Sequence, residues 1–517
     1  MAPYSAIFIG ALLVNIVATF RSSSYWGKFK LLIGFVSRDD GTELSESDDV
    51  ILESPFLKEK HAKILRKYLA VYITAIFSDW IQGPYVYALY DEYGFSQHEI
   101  ALLFVAGFAS SMVFGTFVGG LADSCGRKKF TIAFTVIYGC SCITKHFRDF
   151  GVLLLGRLLG GISTSLLFSV FDSWLIKSHS EAGISAFLSK SFATAQYWNA
   201  IAAISAGLIA NKATEFSDLR PVGNLSVDEA IIFKGGTLMP FDIALFVLSA
   251  CAILASTLWS ENYGNDRSTV ESDHEKRKHW YSDILNAFYT TISSKQILYT
   301  GLICSLFEGS MYIFVFMWTP AIKELGGGGE MPFGVLFATF MVSCMAGSSI
   351  FSIFIGSVKN EKIGLGVFLA ATITFALMTL AQTDTSTIIA FLLFEACVGC
   401  YFPMMGTMKS LVVPENKRAA IYNLYRIPLN FIVLFSLLTD LSPKASFTLC
   451  SCMLATATFL QWSLMKHQES YFSTSDNKTA DLEEGKSLLS EELTTRKGSV
   501  SKDDTPDEGQ NDVPKEN

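Results

Sequence analysis

Charge is scarce in this chain: of 517 residues only 17% are Asp, Glu, Lys or Arg, against 50% hydrophobic ones. A soluble globular domain carries about 25% charged residues, so much of this surface does not face water. The net charge of −8 is concentrated at one end, because residues 467–517 hold 13 acidic and 6 basic side chains. The remainder is close to neutral and lacks the basic excess that nucleic-acid binding requires. Motifs of nucleotide and hydrolytic chemistry are also missing. There is no Gly-x4-Gly-Lys-Ser/Thr phosphate loop, no His-Glu-x-x-His and no Gly-x-Ser-x-Gly. Direct ATP-driven work is therefore not expected, and nothing points to an enzyme or a bound cofactor. None of the ten cysteines falls in a loop assigned to the outside, so no disulfide framework is expected. Cys397 and Cys400 have CxxC spacing, but no second pair accompanies them and no metal site follows.

Long apolar runs are abundant. A membrane-spanning helix needs about 20 mostly apolar residues, and thirteen segments qualify. One covers residues 3–20. Six follow at 66–90, 97–121, 129–146, 150–176, 190–211 and 240–260. After a polar stretch at 261–296 come six more, at 297–319, 332–357, 363–382, 387–409, 418–440 and 445–466. The expected fold is an all-α polytopic membrane protein with two six-helix halves and one extra amino-terminal helix. The units are the extra helix (1–21), a cytoplasmic linker (22–65), the first half (66–260), a central cytoplasmic loop (261–296), the second half (297–466) and an acidic tail (467–517). Six plus six suggests an internal duplication, a known transporter architecture.

Orientation follows from Lys and Arg. Only Arg148, Lys212, Arg220, Lys234, Lys323 and Lys444 fall in one set of loops, and the opposite set is far more basic. The positive-inside rule then places the amino terminus outside and the carboxyl terminus in the cytoplasm. Residues 3–20 lack the basic n-region of a signal peptide, which argues for a retained helix. Asn224 heads a glycosylation sequon in an outside loop. The tail is too polar to fold alone. Within it Glu484-Gly485-Lys486-Ser487-Leu488-Leu489 resembles an acidic dileucine sorting signal, read by an adaptor protein. The plasma membrane is the favoured location, with an endosomal or vacuolar membrane as the alternative.

The chemistry sits in a few ions. Gly119-Gly120-Leu121-Ala122-Asp123-Ser124-Cys125-Gly126-Arg127-Lys128-Lys129 joins core helices two and three. It resembles the signature loop of the major facilitator superfamily, with Ser124 where an Arg is usual. Gly119 permits close helix packing, and Asp123 can pair with Arg127 or with the positive end of a facing helix. Gly156-Arg157-Leu158-Leu159-Gly160-Gly161 resembles that superfamily's helix-four motif. Other intramembrane ions are Asp79 in core helix one, Asp172 in helix four, Glu308 in helix seven, Glu395 in helix ten and Arg426 in helix eleven. Counted along the two halves, Asp79 matches Glu308 and Arg157 matches Glu395. The superfamily resemblance implies that these helices line the cavity.

Two readings stand for this set. In one, Arg157 pairs with Glu395 or Asp79 and Arg426 with Glu308, merely holding helices together. In the other, Arg157 and Arg426 bind an anion through planar forks suited to oxyanions, while Asp79, Glu308 or Glu395 carries a proton or gates access. Gln82, Tyr312, Tyr401, Asn199 and Tyr425 can add hydrogen bonds, and Lys145 is expected to snorkel toward an interface.

A closer resemblance covers residues 66–466. Asp79-Trp80-x-Gln82-x-Pro84-Tyr85, Phe171-Asp172-Ser173-Trp174, Phe307-Glu308, Phe314-x-Phe316-x-Trp318-Thr319-Pro320, Tyr401-Phe402-Pro403 and Arg426-Ile427-Pro428-Leu429 occur in the order seen in eukaryotic molybdate-anion transporters. The resemblance implies uptake of a tetrahedral dianion by alternating access. Carriage of another small anion or organic solute, and a non-transporting nutrient sensor on the same fold, are the competing expectations.

Overall fold

The computed structural model describes residues 2–22, 55–115, 118–223, 230–263, 285–325, 331–355, 357–381, 383–414 and 418–466. Asn224, Glu484, Leu488 and Leu489 lie outside the described residues. Every expected span is helical, the first and second core spans each as two helices. The first half comprises α1 (Ala2–Ser22), α2 (Pro55–Trp80), α3 (Val86–Glu92), α4 (Gln97–Gly115), α5 (Val118–Cys125), α6 (Arg127–Thr144), α7 (Phe150–Glu181), α8 (Leu188–Thr214) and α9 (Met239–Leu258). The second comprises α10 (Lys295–Leu325), α11 (Phe333–Phe354), α12 (Asn360–Leu380), α13 (Asp384–Val412), α14 (Arg418–Leu438) and α15 (Pro443–Lys466). Among the described residues nine helices are long and apolar enough to cross a membrane unaided. The other four expected spans, α2, α6, α8 and α14, carry basic residues in the first turn or internal amides, which lower their hydropathy. Met1–Gln461 forms one compact unit, to which the following refers.

Three local differences from the sequence expectation have simple causes. Residues 55–65 are already helical, so the linker is shorter than expected. The first core helix is not continuous: α2 stops at Trp80, a 3-10 turn covers Gly83–Tyr85, and α3 resumes at Val86. Pro84 has no N–H to continue an α-helix, and its ring excludes the preceding turn. The signature segment is the short helix α5, and the turn itself falls on Gly126. That residue has φ 113°, and a Cβ there would stand 2.6 Å from the Glu261 carboxyl carbon, so glycine is required twice over.

Within each half the helices meet through small residues. Ser110 donates to the Leu158 carbonyl across α4 and α7 (2.7 Å), and Ser343 donates to Leu392 across α11 and α13 (2.6 Å). Ser165 Oγ reaches the Ser111 carbonyl at 2.8 Å. In the other half a methyl group at Gly399 would touch the Cys344 carbonyl at 1.8 Å. These paired contacts match residue 158 to 392 and 165 to 399, the internal repeat expressed as geometry. Glu395 therefore matches Gly161, not Arg157: the count along the chain was off by one helical turn.

The halves join through α8 against α11 and α4 against α14. The ion pairs that join them, among the described residues, lie at one end of the bundle. They are Lys323 with Asp91, and His98 with Asp440 at 2.8 Å. Gln97 donates to the Leu441 carbonyl nearby at 3.3 Å. At the same end the backbones of α8 and α11 touch, and a Cβ on Gly334 would lie 2.3 Å from the Gly207 carbonyl. The extra helix α1 lies along α11. Asn15 donates to the Val342 carbonyl (3.1 Å) and Thr19 meets Ser349 (3.1 Å), while Leu13, Val14, Ile16 and Val17 are exposed as a lipid-facing stripe.

At the opposite end of the first half, His61 of α2 and His179 of α7 both bond Ser191 of α8, at 2.8 and 2.9 Å. Burial, then the nearby His179 and Lys190, lower the His61 pKa. Its neutral form is thus favoured on folding, and this contribution is full above the ordinary histidine value of about 6.5. It is lost as pH falls below that value toward the depressed one. The thermal midpoint of detergent-solubilised protein should drop over that interval, and His61→Gln should flatten the drop; an unchanged slope would contradict the assignment. A second expectation concerns the joined end. Gly334→Leu should wedge α8 from α11 and raise the labelling of cysteines introduced beneath the Asp91–Lys323 pair, whereas unchanged labelling would show that the contact does not hold this end shut.

Candidate functional site

The break after Trp80 leaves helix carbonyls without their usual amide partners. Gln82, buried, turns its amide back and donates to the Ser78 carbonyl at 2.7 Å. The side chain expected to contact substrate thus serves the break. Asp79, one turn earlier, accepts a 2.6 Å hydrogen bond from Tyr138 of α6. Trp80 donates to Asn199 of α8 at 2.8 Å.

Arg157 extends from α7 toward α4. Its Nε donates to the Leu103 carbonyl at 3.2 Å, and the guanidinium lies 4.5 Å from the centre of the Phe104 ring. Gly107 leaves room for it. No ion pair from Arg157 to Asp79 or Glu395 forms among the described residues. Tyr90, Tyr138 and Lys145 lie in its neighbourhood. Lys145 does not snorkel: it is 2% exposed and donates to the Tyr90 hydroxyl at 2.7 Å. A buried ammonium needs such a partner, and a phenol oxygen supplies one without ionising.

The second half gathers around Glu308 of α10. Its Oε1 accepts from Tyr401 (2.9 Å), from the Cys304 thiol (3.0 Å) and from Lys409 (3.4 Å). Tyr401 is fully buried and stacks on Phe307 with centroids 4.0 Å apart, which holds its hydroxyl in place. Lys409 also lies 5.6 Å from the centre of the Tyr422 ring. The counter-ion of Glu308 is therefore Lys409, not Arg426. Arg426 is exposed on α14, and both it and Glu308 lie near Tyr312.

The structure thus builds two clusters, Asp79–Tyr138–Arg157–Tyr90–Lys145 in one half and Glu308–Tyr401–Lys409–Tyr312–Arg426 in the other. They meet across aromatic rings: Phe104 packs edge-on to Phe316 at 5.2 Å, and Phe108 to Tyr312 at 5.3 Å. Glu395 belongs to neither cluster. It is 7% exposed beside Cys344 of α11. Asp172 accepts a 3.4 Å bond from Tyr68. Lys409 escaped notice in the sequence because it falls at the end of a span and reads as an orientation charge. Its spacing of eight residues from Tyr401 was the available signal, since such positions share a helical stripe.

In the signature segment Arg127 donates through Nε and Nη2 to Asp123, at 2.9 and 2.6 Å. The positive end of α6 goes to Glu261 instead, which accepts from the backbone of Lys128 (2.8 Å) and Lys129 (3.3 Å). The Lys128 ammonium reaches the Ser256 carbonyl at 2.6 Å.

Comparison with known proteins agrees with this architecture. Residues 56–397 match a family model described as sugar transporters with 12 TM. The nucleoside transporter NupG superposes with a TM-score of 0.56 at 12% identity, covering 78% of this chain and 98% of that one. A D-xylose–proton symporter does so with 0.55 at 12% identity, covering 80% and 98%. These define a transporter of the major facilitator type, in a membrane and not an enzyme. A molybdate-anion transporter of Takifugu rubripes is 32% identical over 397 residues, covering 72% of this chain and 78% of the relative. One from Danio rerio is 30% identical over 418 residues, covering 76% and 82%. The chain belongs to the eukaryotic molybdate-anion transporter family of the major facilitator superfamily.

The Asp79–Tyr138 bond makes a direct prediction. Tyr138→Phe and Asp79→Asn should each destabilise the protein, and a double-mutant cycle on unfolding should show coupling of about 1–2 kcal/mol. Strict additivity would mean that the carboxylate is served by water.

Proposed function

We propose that this chain imports molybdate, a tetrahedral dianion, as a secondary active transporter working by alternating access. The observation that carries this reading is Arg426. An arginine at the centre of a membrane helix costs about 2.5–3.5 kcal/mol on insertion scales. Here it is exposed, with no ion pair among the described residues. A cation kept in that state serves a mobile anion or the water that brings one. Arg157 stands in the facing half, bonded among the described residues to a backbone carbonyl and set against a ring face, and its remaining N–H groups suit a second oxyanion edge. The names of the relatives supply the metal; the charges alone support any small tetrahedral dianion, sulfate included.

Orientation by positive loops makes the joined end the outer one. The geometry then corresponds to a state closed outside by the Asp91–Lys323 and His98–Asp440 pairs, awaiting exchange with the cytoplasm. Rocking about the clusters would break those pairs and expose the same site to the other side. The plasma membrane is the proposed location, with the amino terminus outside. The glycosylation site at Asn224 and adaptor binding at Glu484, Leu488 and Leu489 remain part of this proposal.

Uptake of labelled molybdate in cells lacking their own carrier tests it. Wild type should accumulate molybdate with sulfate as the competitor to compare. Arg426→Gln and Arg157→Gln should each lower uptake at least tenfold, a loss equal to about 1.4 kcal/mol of anion interaction. Undiminished uptake in both variants would remove these arginines from the site.

A further inference from the structure

The Glu308–Lys409 pair crosses from α10 to α13 within the second half, and the rest of its setting is unusual for a structural bridge. Tyr401, Cys304 and Lys409 all approach a single carboxylate oxygen, Oε1. The Lys409 contact is the longest of the three at 3.4 Å, so the ammonium is the most loosely held partner. Both ions are about one-fifth exposed, at 19% and 22%. The pair is therefore neither sealed in the core nor open on the surface.

From this geometry we infer that Glu308 acts as an internal stand-in for the transported anion, holding Lys409 until substrate arrives, and that molybdate binding exchanges this partner with uptake of one proton. The inference rests on the anion-transport reading above. In the empty site the carboxylate and ammonium cancel. When the dianion enters, Lys409 turns to it as a second cation beside Arg426. Glu308 would then be left charged next to a dianion, and like charges in one low-dielectric site disfavour ionisation. A proton from water joins the carboxylate, so one anion and one proton enter the site together. No bond other than O–H forms. Tyr401 and the Cys304 thiol keep Oε1 in place during the exchange, which makes them positioning residues.

The groups facing Glu308 are few. On its own helix they are Cys304, which bonds it, and Tyr312 nearby; from α13, Tyr401 and Lys409 bond it; from α14, Tyr422 lies against Lys409 and Arg426 lies near the same Tyr312. From α4, Phe108 packs on Tyr312 and contributes no charge. Glu308 is the single carboxylate in this set, so the proton has one acceptor.

Calorimetry of molybdate binding to purified full-length protein, in buffers of different ionisation enthalpy, tests the exchange. Wild type should take up close to one proton per molybdate bound, and affinity should rise as pH falls from mildly basic to mildly acidic. Glu308→Gln should take up none and bind with a flat pH profile. Lys409→Gln should weaken binding at least tenfold, while Lys409→Arg should restore most of it. Tyr401→Phe should shift the pH profile without removing the proton. Binding by wild type with no proton uptake would overturn the exchange and leave the anion-transport reading intact. Absence of molybdate binding at every pH would overturn that reading itself. Should Glu308→Gln fail to fold, the wild-type proton count still decides.

Discussion

An ion inside a bilayer needs a partner, water or a reason to be there. Taking a charge out of water without compensation costs several kcal/mol even after relaxation, and the architecture is arranged around that cost. Asp79 has Tyr138, Lys145 has Tyr90, and Glu308 has Lys409, Tyr401 and Cys304. Arg157 settles for a backbone carbonyl and the face of Phe104. Arg426 has none of these and is exposed. The uneven distribution separates ions that hold helices from ions that do not, which is why the proposed anion site is built on the latter.

Mobility has a second physical basis. Inside each half, contacts such as Ser110 to Leu158 and Ser343 to Leu392 depend on small residues that let backbones approach. Between the halves, contact includes the glycine crossing of α8 and α11, the α4–α14 face, the rings of Phe104 and Phe108 on Phe316 and Tyr312, and two ion pairs at one end. Exposed ion pairs contribute little net stability, so they can break and re-form during a transport cycle. The signature segment, with Asp123 on Arg127 and Glu261 on the start of α6, fastens elements within the first half.

Much of this was legible in the chain. All thirteen apolar runs are helical, two of them as pairs of helices, and the Asp123–Arg127 pair follows from spacing of four on adjoining turns. What escaped was rotational. A span located to within two to four residues leaves helical facing undetermined, because each residue turns the helix by about 100°. That uncertainty matched Glu395 with Arg157, whereas packing matches it with Gly161. It also hid Lys409, whose position at a span's end made it resemble an orientation charge. Gln82 was legible as polar but not as the group that repairs the break before Pro84, since that depends on which carbonyl the break exposes. Lys145 near a helix end suggested an interface, and only the fold brings Tyr90 to it.

The central claim is that a dianion sits between the two facing clusters. Locating bound molybdate by the scattering of its metal, in an experimental structure of the protein prepared with the anion, tests this most directly. The account predicts a single strong peak within hydrogen-bonding range of both Arg157 and Arg426. A peak elsewhere, or none at saturating anion with both arginines sealed from solvent, would contradict it.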